Sequence, residues 1–169
     1  MKQFKTLLFA AVLFIGATSF SVAQSKIAHI NTTQLVEAMP EMKAAKAEIE
    51  KLTKTYEADI KTMATELQNK VKQYQAEVDT KTEEENAARG QEVQTMEQSI
   101  RQYQGQAQQD LQKKEADLLK PIFEKAKAAI DKVSKAQGFQ YVLDSTQGGG
   151  VLVADGKDLL ADVKKELGF

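Results

Sequence analysis

The sequence predicts an α+β fold, predominantly α, in which a long antiparallel helical hairpin projects like a tentacle from a small β-containing head that oligomerises. Three observations predict it. Two long apolar stripes at helical spacing fill the middle of the chain, separated by a stretch with no apolar residue larger than Ala. Short β-type runs occur only near the ends, at 26–30, 139–143 and 151–154. Aromatic residues make up 7% of the 169 and charged residues 28%, with only two prolines, which suits long solvated helices better than a compact core.

Residues 1–23 read as a cleaved export signal. Lys2 and Lys5 form a positive start, an apolar run extends from Leu7 to Ala17, and Ser21-Val22-Ala23 ends in small residues. The run is short for a membrane span, which needs about 20 residues; an uncleaved anchor is the alternative. No Cys follows, so a lipid anchor is excluded. Cleavage after Ala23 removes two lysines and takes the net charge from −1 to −3. A slightly acidic exported chain lacks the basic face that nucleic-acid binding requires.

Residues 24–40 form the first part of the head. Lys26 to Ile30 reads as a strand, and Thr32 to Ala38 as a short helix capped by Asn31. Asn31-Thr32-Thr33 also matches a glycosylation sequon, but a cap is the preferred reading. Pro40 suits the first turn of the next helix.

Residues 41–120 form the arm. Its first stripe runs Ile49, Leu52, Tyr56, Ile60, Met63, Leu67, Val71, Tyr74 and Val78, a mean step of about 3.6. The 3-4-4 spacing is an eleven-residue period, which favours a nearly straight pairing over a tight left-handed supercoil. The second stripe runs Val93, Met96, Ile100, Tyr103, Ala107 and Leu111, and continues through Leu118 and Ile122 to Val133. Thr82-Glu83-Glu84-Glu85 reads as a capping box, with two further carboxylates at the positive end of the dipole. The tip therefore falls near 79–82. Pairing positions that sum to 163 sets Ile60 against Tyr103, Met63 against Ile100, Leu67 against Met96 and Leu52 against Leu111. The expected seam is thus Leu52, Tyr56, Ile60, Met63, Leu67, Met96, Ile100, Tyr103 and Leu111. At ~1.5 Å per residue the arm reaches roughly 60 Å.

Residues 121–169 supply a base helix and the rest of the head. Pro121 removes a backbone hydrogen bond and is expected to bend the helix where arm meets base. Gly138 is expected to end it as a left-handed cap. Phe139 to Leu143 and Val151 to Ala154 read as strands, joined by a Gly-rich hairpin connection at Gln147 to Gly150. No Gly-Lys-Ser/Thr follows those glycines, so a phosphate loop is not indicated. Lys157 to Phe169 reads as a last amphipathic helix through Leu159, Leu160, Val163 and Leu167.

Three strands and two short helices carry few large apolar groups, and domains this small are marginal alone. Their open edges invite pairing with another copy, and a closed symmetric oligomer resolves both problems. Ile27, Ile30, Tyr141, Leu143, Val151 and Val153 are the expected oligomerisation residues. Zero Cys excludes disulfides, thiol catalysis and Cys-based metal sites, and the single His29 leaves no His-rich site. No catalytic, metal or cofactor-binding residue is expected, and the chain does not read as an enzyme. His29 is read as structural, with a pH switch the alternative.

The order of several pieces around the hairpin resembles the Skp/OmpH family of periplasmic chaperones. The pieces are Lys26 to Ile30 with Thr33-Gln34-Leu35-Val36-Glu37-Ala38-Met39-Pro40, then Leu119-Lys120-Pro121-Ile122 and Gly138 to Asp144. Gly149-Gly150-Val151-Leu152-Val153 and Asp158 to Val163 complete the pattern. The resemblance implies a periplasmic homotrimer whose heads join as a β-structured body and whose hairpins surround a cavity. It also implies binding of unfolded outer-membrane proteins without nucleotide. It does not identify client-binding residues. Tyr56, Tyr74, Tyr103, Met63 and Met96 are read as seam, with adaptable client contacts the alternative.

One feature departs from the family, whose well-known members are strongly basic. Residues 57–110 hold 6 basic and 11 acidic residues, whereas the flanking helical parts are mildly basic. Contact with anionic membrane or lipopolysaccharide is therefore not supported at the arm tips. The expected function is an ATP-independent holdase. The competing reading is a structural periplasmic coiled-coil scaffold or tether of envelope machinery.

Overall fold

The computed structural model describes residues 25–169. The expected export signal lies outside the described residues. Strand β1 (Ile27–Ile30) leads into helix α1 (Thr32–Ala38), the long helix α2 (Pro40–Glu77), a 3-10 turn (Val78–Thr80) and the longer helix α3 (Glu83–Ala136). Strands β2 (Tyr141–Asp144) and β3 (Lys157–Asp158) and helix α4 (Leu160–Leu167) complete the chain. The architecture is α+β with long helices and a small three-stranded sheet. No helix among the described residues is long and apolar enough to cross a membrane.

The sheet has the order β2-β1-β3, with β1 parallel to both neighbours. Ile27 stands opposite Tyr141 and Ile30 opposite Asp144, while Ala28 stands opposite Lys157. Parallel strands require a crossover connection. Between β1 and β2 that crossover is α1 together with the entire arm. The head therefore closes only after the arm has folded back on itself.

This topology corrects two expectations. Val151 to Ala154 forms no strand in the single chain; the third strand is the two-residue β3 instead. The Gly-rich segment is not a hairpin connection either, because β2 and β3 flank β1 on opposite sides. Composition made 151–154 the better strand candidate, but no backbone within the chain is offered to it. Gly149 closes a tight turn through its N–H to the Thr146 carbonyl at 2.8 Å. A Cβ there would lie 2.9 Å from that same carbonyl oxygen.

Local signals set the helix ends. Asn31 Oδ1 accepts from Gln34 N at 2.8 Å, so the asparagine serves as the N-cap of α1. Pro40 occupies the first turn of α2, where its missing N–H costs nothing. At the arm tip Thr82 Oγ1 accepts from Glu85 N and the Glu85 carboxylate accepts from Thr82 N, a complete capping box. Replacing Thr82 with Ala removes one of these bonds and should cost about 1 kcal/mol. Faster amide exchange confined to the first turn of α3 is the expected readout. Helix α3 runs unbroken through Pro121. It ends in a Schellman motif: Gly138 adopts φ 74°, its N–H reaches Lys135 O, and Phe139 N–H reaches Ser134 O.

The core lies entirely in the head and arm root. Ile30, Leu35, Met39, Leu159 and Val163 are its largest fully buried side chains, and Met42, Ala45, Ile122, Ala126, Ala129 and Val133 extend it along the root. Farther out, Ala107 alone is buried among the described residues. The strand alternation explains the inner set, because Ala28 and Ile30 point to the core while Ile27 and His29 point away.

A polar staple ties β2 to α1. The Asp144 carboxylate accepts from Thr32 Oγ1 at 2.6 Å and from Thr146 N at 2.9 Å. Burial pushes the Asp144 carboxyl up, but hydrogen bonds from Thr32 and Thr146 outweigh it and bring the group down to about 2. Its folded-state value is then below the ordinary 3.8. The staple contributes fully above about pH 4 and is lost as pH falls toward 2. Urea titrations between pH 5 and 2 should therefore show wild type losing its advantage over Asp144→Asn in that window. A constant difference between the two would contradict the staple.

Candidate functional site

The arm is held by a seam of half-buried side chains flanked by polar ties. Leu52, Tyr56, Ile60, Met63 and Leu67 on α2 are all half-buried, as are Met96, Ile100, Tyr103 and Leu111 on α3. Two helices offer each residue one neighbouring helix, so the other side of every seam residue remains wet. The Tyr56 and Tyr103 rings meet edge to face at 5.8 Å. Tyr56 donates to Asp110 at 3.0 Å and Tyr103 donates to Asp59 at 2.7 Å. The Asp59 hydrogen bond, with burial, pushes the Tyr103 hydroxyl up to about 12, which keeps it a donor.

Other ties continue in both directions. Toward the head Lys114 meets Glu48 at 2.7 Å, and Lys125 pairs with Glu41. Toward the tip Lys70 and Tyr74 both engage Glu92, and Arg89 pairs with Glu77 while lying 4.6 Å from the Tyr74 ring centroid. Each of these cross-helix ties joins positions that sum to 162 or 166, one series on each side of the seam. Single surface pairs contribute little, but a ladder of them fixes register.

The head presents apolar surface that its own chain does not cover. Tyr141 is 60% exposed, Leu152 97% and Val153 74%, with Ile27 and Leu143 about half exposed. Val151 is half-buried. Ile30 differs from the other five expected oligomerisation residues: it is 1% exposed, sits in the chain's own core and has no surface to offer a partner. His29 fastens the loop between β2 and β3 at both ends. Its Nε2 donates to the Gly156 carbonyl at 3.2 Å and its Nδ1 lies 3.3 Å from Ser145 Oγ.

A third feature escaped the sequence reading. Where α1 packs against the root of the arm, a groove of about 480 Å³ is floored by Val36, Met42, Ile49, Leu118 and Phe123. A second groove of about 400 Å³ continues along the seam past Tyr56, Ile60, Ala107 and Leu111. The two share Ile49 and Glu115, and so form one trough. Phe123, 53% exposed at its head end, falls one position off the Leu118–Ile122–Ala126 stripe. A large aromatic just beside an apolar stripe was the available signal. No group of three or more His, Cys, Asp or Glu suited to a metal occurs among the described residues.

No curated protein matches the chain. Among solved structures it is similar to a crystal structure from Caulobacter crescentus, described as a candidate OmpH-like outer membrane chaperone. The two share 17% identity and a TM-score of 0.76, over 85% of this chain and 84% of that one. At that identity the likeness concerns the fold. The family model for OmpH-like outer membrane protein matches residues 26–167, nearly the whole described chain, and the protein belongs to that family.

Proposed function

We propose that the protein is an ATP-independent periplasmic holdase that keeps unfolded outer-membrane proteins apart in a cavity between the arms of an oligomer. The observation that carries this reading is the pairing of uncovered apolar head surface with a long arm that has almost no core of its own. Membership of the OmpH-like family and the fold of the Caulobacter chaperone candidate support it. Copies joined through Ile27, Tyr141, Leu143, Val151 and Val153 would complete the head, and the open edges of β2 and β3 would receive further strands. A trimer is the closed form that the family resemblance implies.

An unfolded barrel protein exposes apolar side chains and unpaired strand edges, and aggregates through both. Enclosure among linked arms separates such chains, and many weak contacts on those arms give avidity without a deep pocket. Half-buried Met63, Met96, Tyr56 and Tyr103 offer adaptable contact on the wet side of the seam. Binding of the unfolded form alone supplies the holding free energy by mass action, with no nucleotide step.

Light scattering tests this reading. A denatured outer-membrane barrel protein diluted from urea should stay clear at a several-fold excess of oligomer. Unchanged scattering would discard the holdase. Capture of one folded envelope partner without any barrel protein would favour the scaffold reading instead.

A further inference from the structure

We infer that the trough at the arm root takes an extended segment of an unfolded client about eight residues long, in which apolar side chains alternate with Lys or Arg. This rests on the chaperone reading and names the chemistry of the segment held.

Length sets the first condition. The trough follows α2 from Met42 to Ile60, which at ~1.5 Å per residue is about 27 Å. An extended chain rises about 3.3 Å per residue, so about eight residues fill it. The three helices bordering the trough satisfy their own backbone groups along their length, so no strand can be added by main-chain pairing. Recognition must come from side chains.

Charge sets the second condition. The apolar floor is bordered by Glu37, Glu50, Glu57 and Glu115 against Lys46 alone. Lys46 lies 3.7 Å from Glu37 and Lys54 lies 2.6 Å from Glu50, which leaves Glu57 and Glu115 as the rim carboxylates without an ion pair among the described residues. In an extended segment alternate side chains point in opposite directions. One set can enter the floor between Ile49, Leu118 and Phe123, while the other reaches the acidic rim. A cationic second set complements that rim, and an anionic one meets like charge. The same argument disfavours another copy of this chain as the occupant. Its uncovered segments Tyr141 to Leu143 and Val151 to Ala154 run directly into Asp144 and Asp155.

Fluorescence anisotropy on the purified exported chain tests the inference. The probes are two labelled ten-residue peptides, one alternating Leu with Lys and one alternating Leu with Glu. The lysine peptide should bind about tenfold tighter, as expected for several exposed charge pairs acting together. Phe123→Ser should weaken its binding about tenfold, and Glu57→Gln with Glu115→Gln should reduce the preference at least threefold. Both changes are at surface positions and leave the core intact. Equal affinity for the two peptides, or indifference to Phe123→Ser, would overturn the inference. So would a fall in sedimenting mass caused by Phe123→Ser, since the trough would then be a contact between copies. Protection of a denatured barrel protein without any lysine preference would sink this inference and leave the holdase standing. Loss of protection altogether would remove the holdase itself.

Discussion

Replacing Tyr141 and Leu143 together with Lys is expected to convert the proposed oligomer into folded single chains and to abolish the proposed suppression of aggregation. Both side chains lie on β2, at 60% and 45% exposure, pointing away from the core. Full burial of such a side chain is worth ~1.5–3 kcal/mol. About half of each is left uncovered by its own chain, so the pair accounts for about 1.5–3 kcal/mol per copy. That corresponds to a loss of roughly 10- to 100-fold in each contact. Lysine adds the cost of bringing charge to an apolar interface. The inner face of the sheet, Ala28 and Ile30, is untouched, so helical circular dichroism should stay at the wild-type value. Retained mass and retained protection would show that β2 is not where copies meet.

The second large effect concerns Leu35→Ala. Leu35 is fully buried on α1, in a core shared by the sheet, α4 and the arm root. Truncation there should cost ~2–5 kcal/mol, transfer loss plus cavity. A small domain holds only ~5–15 kcal/mol in all, so the head should lose much of its stability. Leu52→Ala makes a useful control. Leu52 is half-buried in the seam, with one neighbouring helix and open water beside it, and its loss should cost well under half as much. Calorimetry on the two variants should show the Leu35 change lowering the head transition far more than the Leu52 change lowers the arm. Equal shifts would mean that the stability of the molecule is not concentrated at its base.

What could be read from sequence followed from what is local. The stripes from Ile49 to Val78 and from Val93 to Val133 are properties of single helices, and the Thr82–Glu85 box needs only four consecutive residues. A hairpin makes one register serve the whole arm, and the expected pairing sum of 163 lies between the observed ties at 162 and 166. The head was less legible because it is built from distant pieces. Lys157 and Asp158 carry no strand-like composition, yet pair with β1 through backbone alone. Val151 to Ala154 has that composition and finds no backbone in its own chain. Ile30 and Tyr141 look alike as apolar strand residues, and only the inward and outward alternation around β1 separates core from surface. The trough was hidden for the same reason. It exists only once α1 lies against the arm root, and its mouth residue Phe123 sits outside the stripe that periodicity picks out.

Sedimentation equilibrium of residues 24–169 at low micromolar concentration tests the central claim most directly. The account predicts a single species of three copies with no detectable population of free chains, because uncovered Tyr141, Leu152 and Val153 require neighbours. A stable, compact particle with the mass of one chain would contradict it, since no sheltered space could then form between arms.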